Sequence, residues 1–220
     1  MQKNVTQSTI RFFLFILLLL LFSGCSEKPA GSPDTATLVG NVYDNTYFKF
    51  KIELPENWYT VDQETMKAIA KTGQDIIAGD DKNMEASLQA AEKNVYNLFQ
   101  TFMVAPGTPV DFFNPSITGV AEKVSHLPGI KTGKEYLQNV KMLLNSGQIN
   151  IDIDEEIQQI DLDGREFYRL NAVLLLGGKT IQQKYYTAII NRHALGFVIS
   201  YAGTDQYEPL ERAIEAITFY

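Results

Sequence analysis

The sequence predicts an α+β domain, an antiparallel β-sheet flanked by helices on both faces. Three observations predict it. Phe48, Phe50, Ile52 and Leu54 alternate strictly with Lys49, Lys51 and Glu53, the period of a half-buried strand. Thr132 and Glu135 have the spacing of a helix capping box, with apolar residues recurring after them. Gly177 and Gly178 separate two long strand-like runs, a gap that admits a tight antiparallel hairpin and excludes a crossover helix.

Taken in order, Leu38 to Tyr43 reads as a short strand and Asp44 to Thr46 as a turn before the alternating strand. Pro55 ends that strand, and the corner through Glu56 and Asn57 turns Trp58 back toward the core. Thr60 or Asp62 can cap a helix to about Ile77, with Met66, Ile69 and Ala70 inward and Gly79 as its stop. A second helical piece spans about 83–93. Strands follow over about 95–104 and 116–124, then the capped helix with Tyr136, Val140, Leu143 and Leu144, closed by Gly147. Residues 148–160 alternate through Ile149, Ile151 and Ile153, and 161–164 turn into a strand over 165–176. A return strand runs over 179–191, a turn over 191–194, and a last long strand over 195–202. The final helix is capped by Thr204 or Asp205 and carries Leu210, Ala213, Ile214 and Ile217 inward.

The N-terminus has another logic. Phe12 to Phe22 is an unbroken apolar run behind Lys3 and Arg11, shorter than the about 20 residues of a bilayer crossing but suited to the core of a secretion signal. Ser23, Gly24 and the single cysteine, Cys25, follow. Phe22 to Cys25 resembles the lipobox of bacterial lipoprotein signal peptides, with Phe22 where Leu is usual. The resemblance implies cleavage before Cys25, a lipid on its thiol and a place on the extracytoplasmic face of the cell membrane. Residues 1–24 then read as a cleaved signal peptide, 25–37, with Pro29 and Pro33, as a flexible tether, and 38–220 as one domain.

Removing residues 1–24 takes away two basic residues and no acidic ones, so the formal charge of the remainder is (19 − 2) − 26 = −9. Such a surface repels nucleic-acid phosphates, and no basic run offsets it, which disfavours a nucleic-acid partner. With Cys25 committed to lipid, no disulfide within the chain and no thiolate metal site is available.

A second resemblance rests on the aromatic strand 47–54 running into Leu54, Pro55, Glu56, Asn57 and Trp58, on Asn114 to Ile117 opening a mid-chain strand, and on the C-terminal helix ending Ala216, Ile217, Thr218, Phe219. These are similar to the PsbP-like group, which includes an extrinsic photosystem II subunit, a Ran-binding nuclear import factor and many bacterial lipoproteins. The resemblance implies a sheet between helical layers and, for most members, binding or assembly in place of catalysis. No functional residue of the group maps onto this chain, and the helical stretch 62–93 has no counterpart in the pattern.

Motifs for chemistry are sparse. Gly178, Lys179 and Thr180 imitate the end of a phosphate loop, but Val173 stands where that loop needs glycine, and the site is a hairpin. Lys71 to Gly73 and Lys131 to Gly133 match one motif of penicillin-recognising enzymes without the Ser-x-x-Lys nucleophile. His126 and His193, each beside a turn, read as solvated loop histidines. Asp152 and Asp154 share one side of a strand and are the weak candidates for a hard cation such as calcium, beside Glu155, Glu156, Asp161 and Asp163. The favoured reading of that stretch is solvated charge on an outer face. Tyr168, Tyr185, Tyr186, Tyr201 and Tyr207 can line a peptide or sugar groove, although packing is the favoured role for most. The sequence therefore predicts a lipid-anchored binding or assembly module with a protein partner in the cell envelope and no cofactor. An extracytoplasmic enzyme using carboxylates, or a peptide- or sugar-capturing accessory protein, is the alternative.

Overall fold

A computed structural model describes residues 31–220; Cys25 and the apolar run lie outside them. The described chain opens with a hairpin, β1 (Ala36–Val39) and β2 (Val42–Asn45), joined at Gly40, whose φ of 61° suits glycine. This replaces the expected single strand 38–43. Asp44 and Asn45, expected in a turn, end β2, and Asn45 is fully buried because its amide donates to Pro33 O (2.8 Å) and its Oδ1 accepts from Phe48 N (2.9 Å). β3 (Phe50–Glu53) keeps the alternation, with Phe48, Phe50, Ile52 and Leu54 all buried.

β4 (Tyr59–Thr60) leads to α1 (Gln63–Ala78), capped by Asp62, which accepts from Thr65 N at 2.8 Å, and to α2 (Lys82–Glu92). β5 (Val95–Phe102), β6 (Ser116–Lys123) and α3 (Gly133–Ser146) follow. The Glu135 carboxylate accepts from Thr132 N (2.6 Å) and Lys131 N (3.0 Å), and these hydrogen bonds hold it below the usual carboxylate range. The expected strand over 148–160 is instead two strands, β7 (Ile151–Ile153) and β8 (Gln158–Leu162), with Ile157 between them buried. β9 (Arg165–Leu176), β10 (Lys179–Ile190) and β11 (His193–Tyr201) form the meander. Its two turns, Gly177-Gly178 and Asn191-Arg192, and the Asp163-Gly164 turn that joins β8 to β9 all have positive φ, the geometry that matches strand twist. α4 (Thr204–Glu215) and a short β12 (Thr218–Phe219) close the chain.

The strands form two antiparallel sheets where one was expected. The larger runs β4-β5-β6-β11-β10-β9-β7, with β8 also on β9; the smaller runs β1-β2-β3-β12. β12 pairs with β3, and the Tyr220 hydroxyl donates to Asp44 (2.7 Å), so the C-terminus completes the small sheet.

Alternation on the larger sheet creates two unlike faces. Phe99, Ile117, Phe167, Tyr186, Leu195, Phe197 and Ile199 pack against the small sheet and against Leu210, Ala213 and Ile214 of α4. Phe50 and Phe197 meet edge to face at 5.4 Å, and Phe167 lies 6.1 Å from Phe197. Gly119 makes room for this cluster, since a Cβ there would come 2.3 Å from the Phe99 ring. On the opposite face Leu137 of α3 packs with Leu170, Ile157, Tyr168 and Tyr185. The start of α3 lies so close to β10 that a Cβ on Gly133 would fall 2.1 Å from Thr187 O. The architecture is thus α+β, with helices on both faces of the larger sheet.

Candidate binding surfaces

The corner that returns Trp58 also shapes a concave surface. Glu56 and Asn57 turn the chain, Asn57 at φ 63°, and Trp58 N donates to Pro55 O at 3.4 Å. Trp58 is half-buried at the junction of two adjoining hollows of about 520 and 320 Å³. The first lies between the end of β3 and the C-terminal half of α4, with Glu53, Pro209 and Arg212 on its walls. The second reaches Gly40, Thr60 and Thr101. Asn41, Leu54, Pro55, Glu56 and Trp58 line both.

Its chemistry is that of a contact surface. Asn41 Nδ2 donates to Leu54 O (2.9 Å), which holds the hairpin against the β3 end. Arg212, Glu53 and Glu56 have no ion-pair partner among the described residues. An indole, two prolines and separated charges of both signs suit an extended ligand with apolar and polar groups. A third concavity, about 740 Å³ and wide open, lies along α3 beside Lys134, Met142, Glu155 and Glu156.

The sequence-derived candidates disperse. Asp152 is exposed on β7, while Asp154 accepts from Asn171 Nδ2 (2.7 Å) and its carbonyl accepts from Lys141 Nζ (2.6 Å). No group of three or more His, Cys, Asp or Glu among the described residues is arranged to hold a metal ion. His126 is exposed, as expected for a loop histidine. His193 is not a loop residue: it opens β11, is 6% exposed, and meets Tyr47, Phe48 and Tyr96 edge-on at 5.6–5.8 Å. Its Nδ1 lies 2.8 Å from Asn191 O, which can only accept, so Nδ1 carries the proton; burial pushes the ring's pKa down. The five tyrosines split between faces. Tyr168 and Tyr185 pack under α3, while Tyr186, Tyr201 and Tyr207 meet on the α4 side, and burial pushes all three of those hydroxyls up.

Trp58 was legible as a corner residue, but Arg212, Pro209 and Asn41 were not, because only the packing of α4 against β3 brings them to it. Among the described residues no helix is long and apolar enough to cross a membrane.

Comparisons with known proteins are sparse. No family model matches the chain. No curated protein matches it. Among solved structures it is similar to LpqN, a Mycobacterium tuberculosis protein involved in cell envelope biogenesis, with 12% identity, a TM-score of 0.44 and 86% of each chain covered. It is also similar to a Pseudomonas aeruginosa protein of unknown function, with 12% identity and a TM-score of 0.40 over 56% of this chain and 79% of the other. Both TM-scores lie below 0.5, so neither structure assigns this chain a family.

Proposed function

We propose that this chain is an extracytoplasmic protein held at the cell membrane by a lipid on Cys25, and that its domain is a binding or assembly module of the cell envelope related to the PsbP-like group. The observation that carries the placement is the order of residues 11–25: a basic residue, eleven apolar residues, Ser23, Gly24 and a lone cysteine. Support for binding comes from the Trp58 hollow, whose open shape and unpaired Arg212, Glu53 and Glu56 leave polar groups available to a partner.

Two measurements test it. Mass spectrometry of the mature protein is expected to find Cys25 first and acylated, and Cys25→Ala is expected to leave the membrane fraction. A mature chain starting elsewhere, or a Cys25→Ala protein that fractionates like the parent, overturns the anchor. Crosslinking in intact cells is expected to join the wild-type chain to a discrete envelope protein, with the adduct lost in Trp58→Ala and in Arg212→Glu. Adducts unchanged in both variants would move the contact away from this groove.

A further inference from the structure

The hollows around Trp58 meet an open strand edge. β4 is the first strand of the larger sheet, so one of its sides has no neighbouring strand. On the other side Val61 N donates to Gln100 O at 3.0 Å, and Tyr59 and Thr60 stand opposite Phe102 and Thr101. Residues that bond across an antiparallel pair alternate with residues that do not. Tyr59 and Val61 therefore turn their main-chain groups toward β5, and Thr60 turns its own outward. The Thr60 and Thr101 hydroxyls lie 2.8 Å apart, the close side-chain approach of a non-hydrogen-bonded pair. Thr60 is half-buried and lines the smaller hollow, which puts this free donor and acceptor at its wall.

At two residues β4 is too short to hold a partner by main chain alone, so the side chains beside it decide what it takes. The only charged residue lining the smaller hollow is Glu56, which is exposed and lines the larger one as well. The larger hollow adds Glu53 and, on the α4 side, Arg212. Glu53 has one weak contact, from Asn41 Nδ2 at 3.4 Å. Lys51, the nearest cation along β3, is tied to Asp44 at 3.1 Å, and no lysine lines either hollow. The charge next to the Thr60 edge is thus negative, on a chain whose formal net charge is −7. Trp58, between the two hollows, offers a ring that attracts a cation and packs against its alkyl stem.

We propose that this surface takes an extended peptide that pairs with β4 at Thr60 and lays a lysine or arginine side chain over Trp58 toward Glu56 and Glu53. The Thr60 N–H donates to a peptide carbonyl and the Thr60 carbonyl accepts from a peptide amide. A peptide repeats such groups at strand spacing, which a sugar does not. Arg212, across the larger hollow, donates to a carbonyl or carboxylate farther along the same ligand. The inference rests on the reading of the Trp58 hollow as a binding surface and adds the chemistry of its occupant.

The test pans a phage-displayed random nonapeptide library on the full chain in nanodiscs, with Trp58→Ala in parallel to discard peptides that bind elsewhere. Peptides selective for the wild-type chain are expected to share a lysine or arginine at a recurring position. Glu53→Gln with Glu56→Gln, both at exposed positions, is expected to weaken the strongest of them about tenfold with the melting temperature unchanged, so the result does not depend on Trp58→Ala folding. Synthetic copies N-methylated at odd or at even positions isolate the main-chain part, since a strand turns alternate amides toward its neighbour. One set is expected to lose binding and the other to keep it. Trp58-dependent peptides that lack a basic residue, ignore the two Gln substitutions or suffer equally in both methylated sets overturn the peptide assignment and leave the binding surface standing. Recovery of no Trp58-dependent peptide overturns it as well, and crosslinking in cells then decides separately whether the surface binds a partner.

Discussion

The two faces of the larger sheet are held by different physics. One is sealed by aromatic side chains from both sheets and by α4, with Phe50, Phe167 and Phe197 fully buried and both Phe50 and Phe167 against Phe197. The other is held by α3 through Leu137, Leu170 and Ile157, and by a close approach of backbones at Gly133. The first face carries the stability through buried area, while the second depends on fit at a few points. The fold can thus tolerate rearrangement around α3 that it could not tolerate around β3 and α4.

The largest expected effect follows from cutting the aromatic face. Phe197→Ala should cost about 3–5 kcal/mol, read from urea unfolding, because the ring's contacts on both sheets are lost and a cavity remains. Leu137→Ala on the α3 face should cost less, about 2–3 kcal/mol, since fewer fixed neighbours surround it and the helix can settle inward. Equal losses at the two sites would show that the two faces contribute alike. Gly133→Ala should cost about 1–3 kcal/mol by forcing α3 off Thr187 O, and hydrogen exchange should show faster opening confined to α3 and the neighbouring part of β10.

The smallest effect is a dependence on pH. His193 sits on the aromatic face, its pKa held down by burial and by the charge of Lys123, with Tyr47, Phe48 and Tyr96 around the ring. The unfolded chain therefore binds the proton more readily than the folded one. Stability should fall as pH drops from about 6.5, the unfolded value, toward the depressed folded value, and should level off below it. In His193→Gln this slope should disappear from thermal melts taken across that window; an unchanged slope would assign it to other groups.

Much of the fold was legible because its signals are local. The alternation at 50–54, the Thr132–Glu135 pair, the Gly177-Gly178 turn and the inward stripe of α4 each act within a few residues and lie where the sequence placed them. Tyr47 to Lys49, in contrast, turn before the strand, Lys49 at φ 55°, and α4 is capped at Gly203 and not by the Thr204 or Asp205 side chain. The failures were equally physical. Gly40 turns what looks like one strand into a hairpin, and the turn chemistry of a lone glycine followed by Asn41 was a weak signal. Ile157 broke the alternation of 148–160 because its side chain was needed under α3. β12 is only two residues long, and its pairing with β3 depends on where α4 delivers the chain. His193 looked like a turn residue because Asn191 and Arg192 precede it, yet the register of β11 on β6 draws it inside. Of the candidate surfaces, Trp58 could be singled out, whereas Arg212 and Pro209 come from 150 residues later and show no pattern linking them to it.

The class of fold, the antiparallel meander and the N-terminal pattern on which the proposed placement rests are written in neighbouring residues, as periodicity, turn residues and an apolar run. Packing fixed that there are two sheets, that the tyrosines divide between opposite faces, and that Arg169 Nε and Asn171 Oδ1 are buried without a partner among the described residues. Those outcomes depend on strand register and on which elements cover which face, and long-range packing fixes both where no stretch of sequence records them.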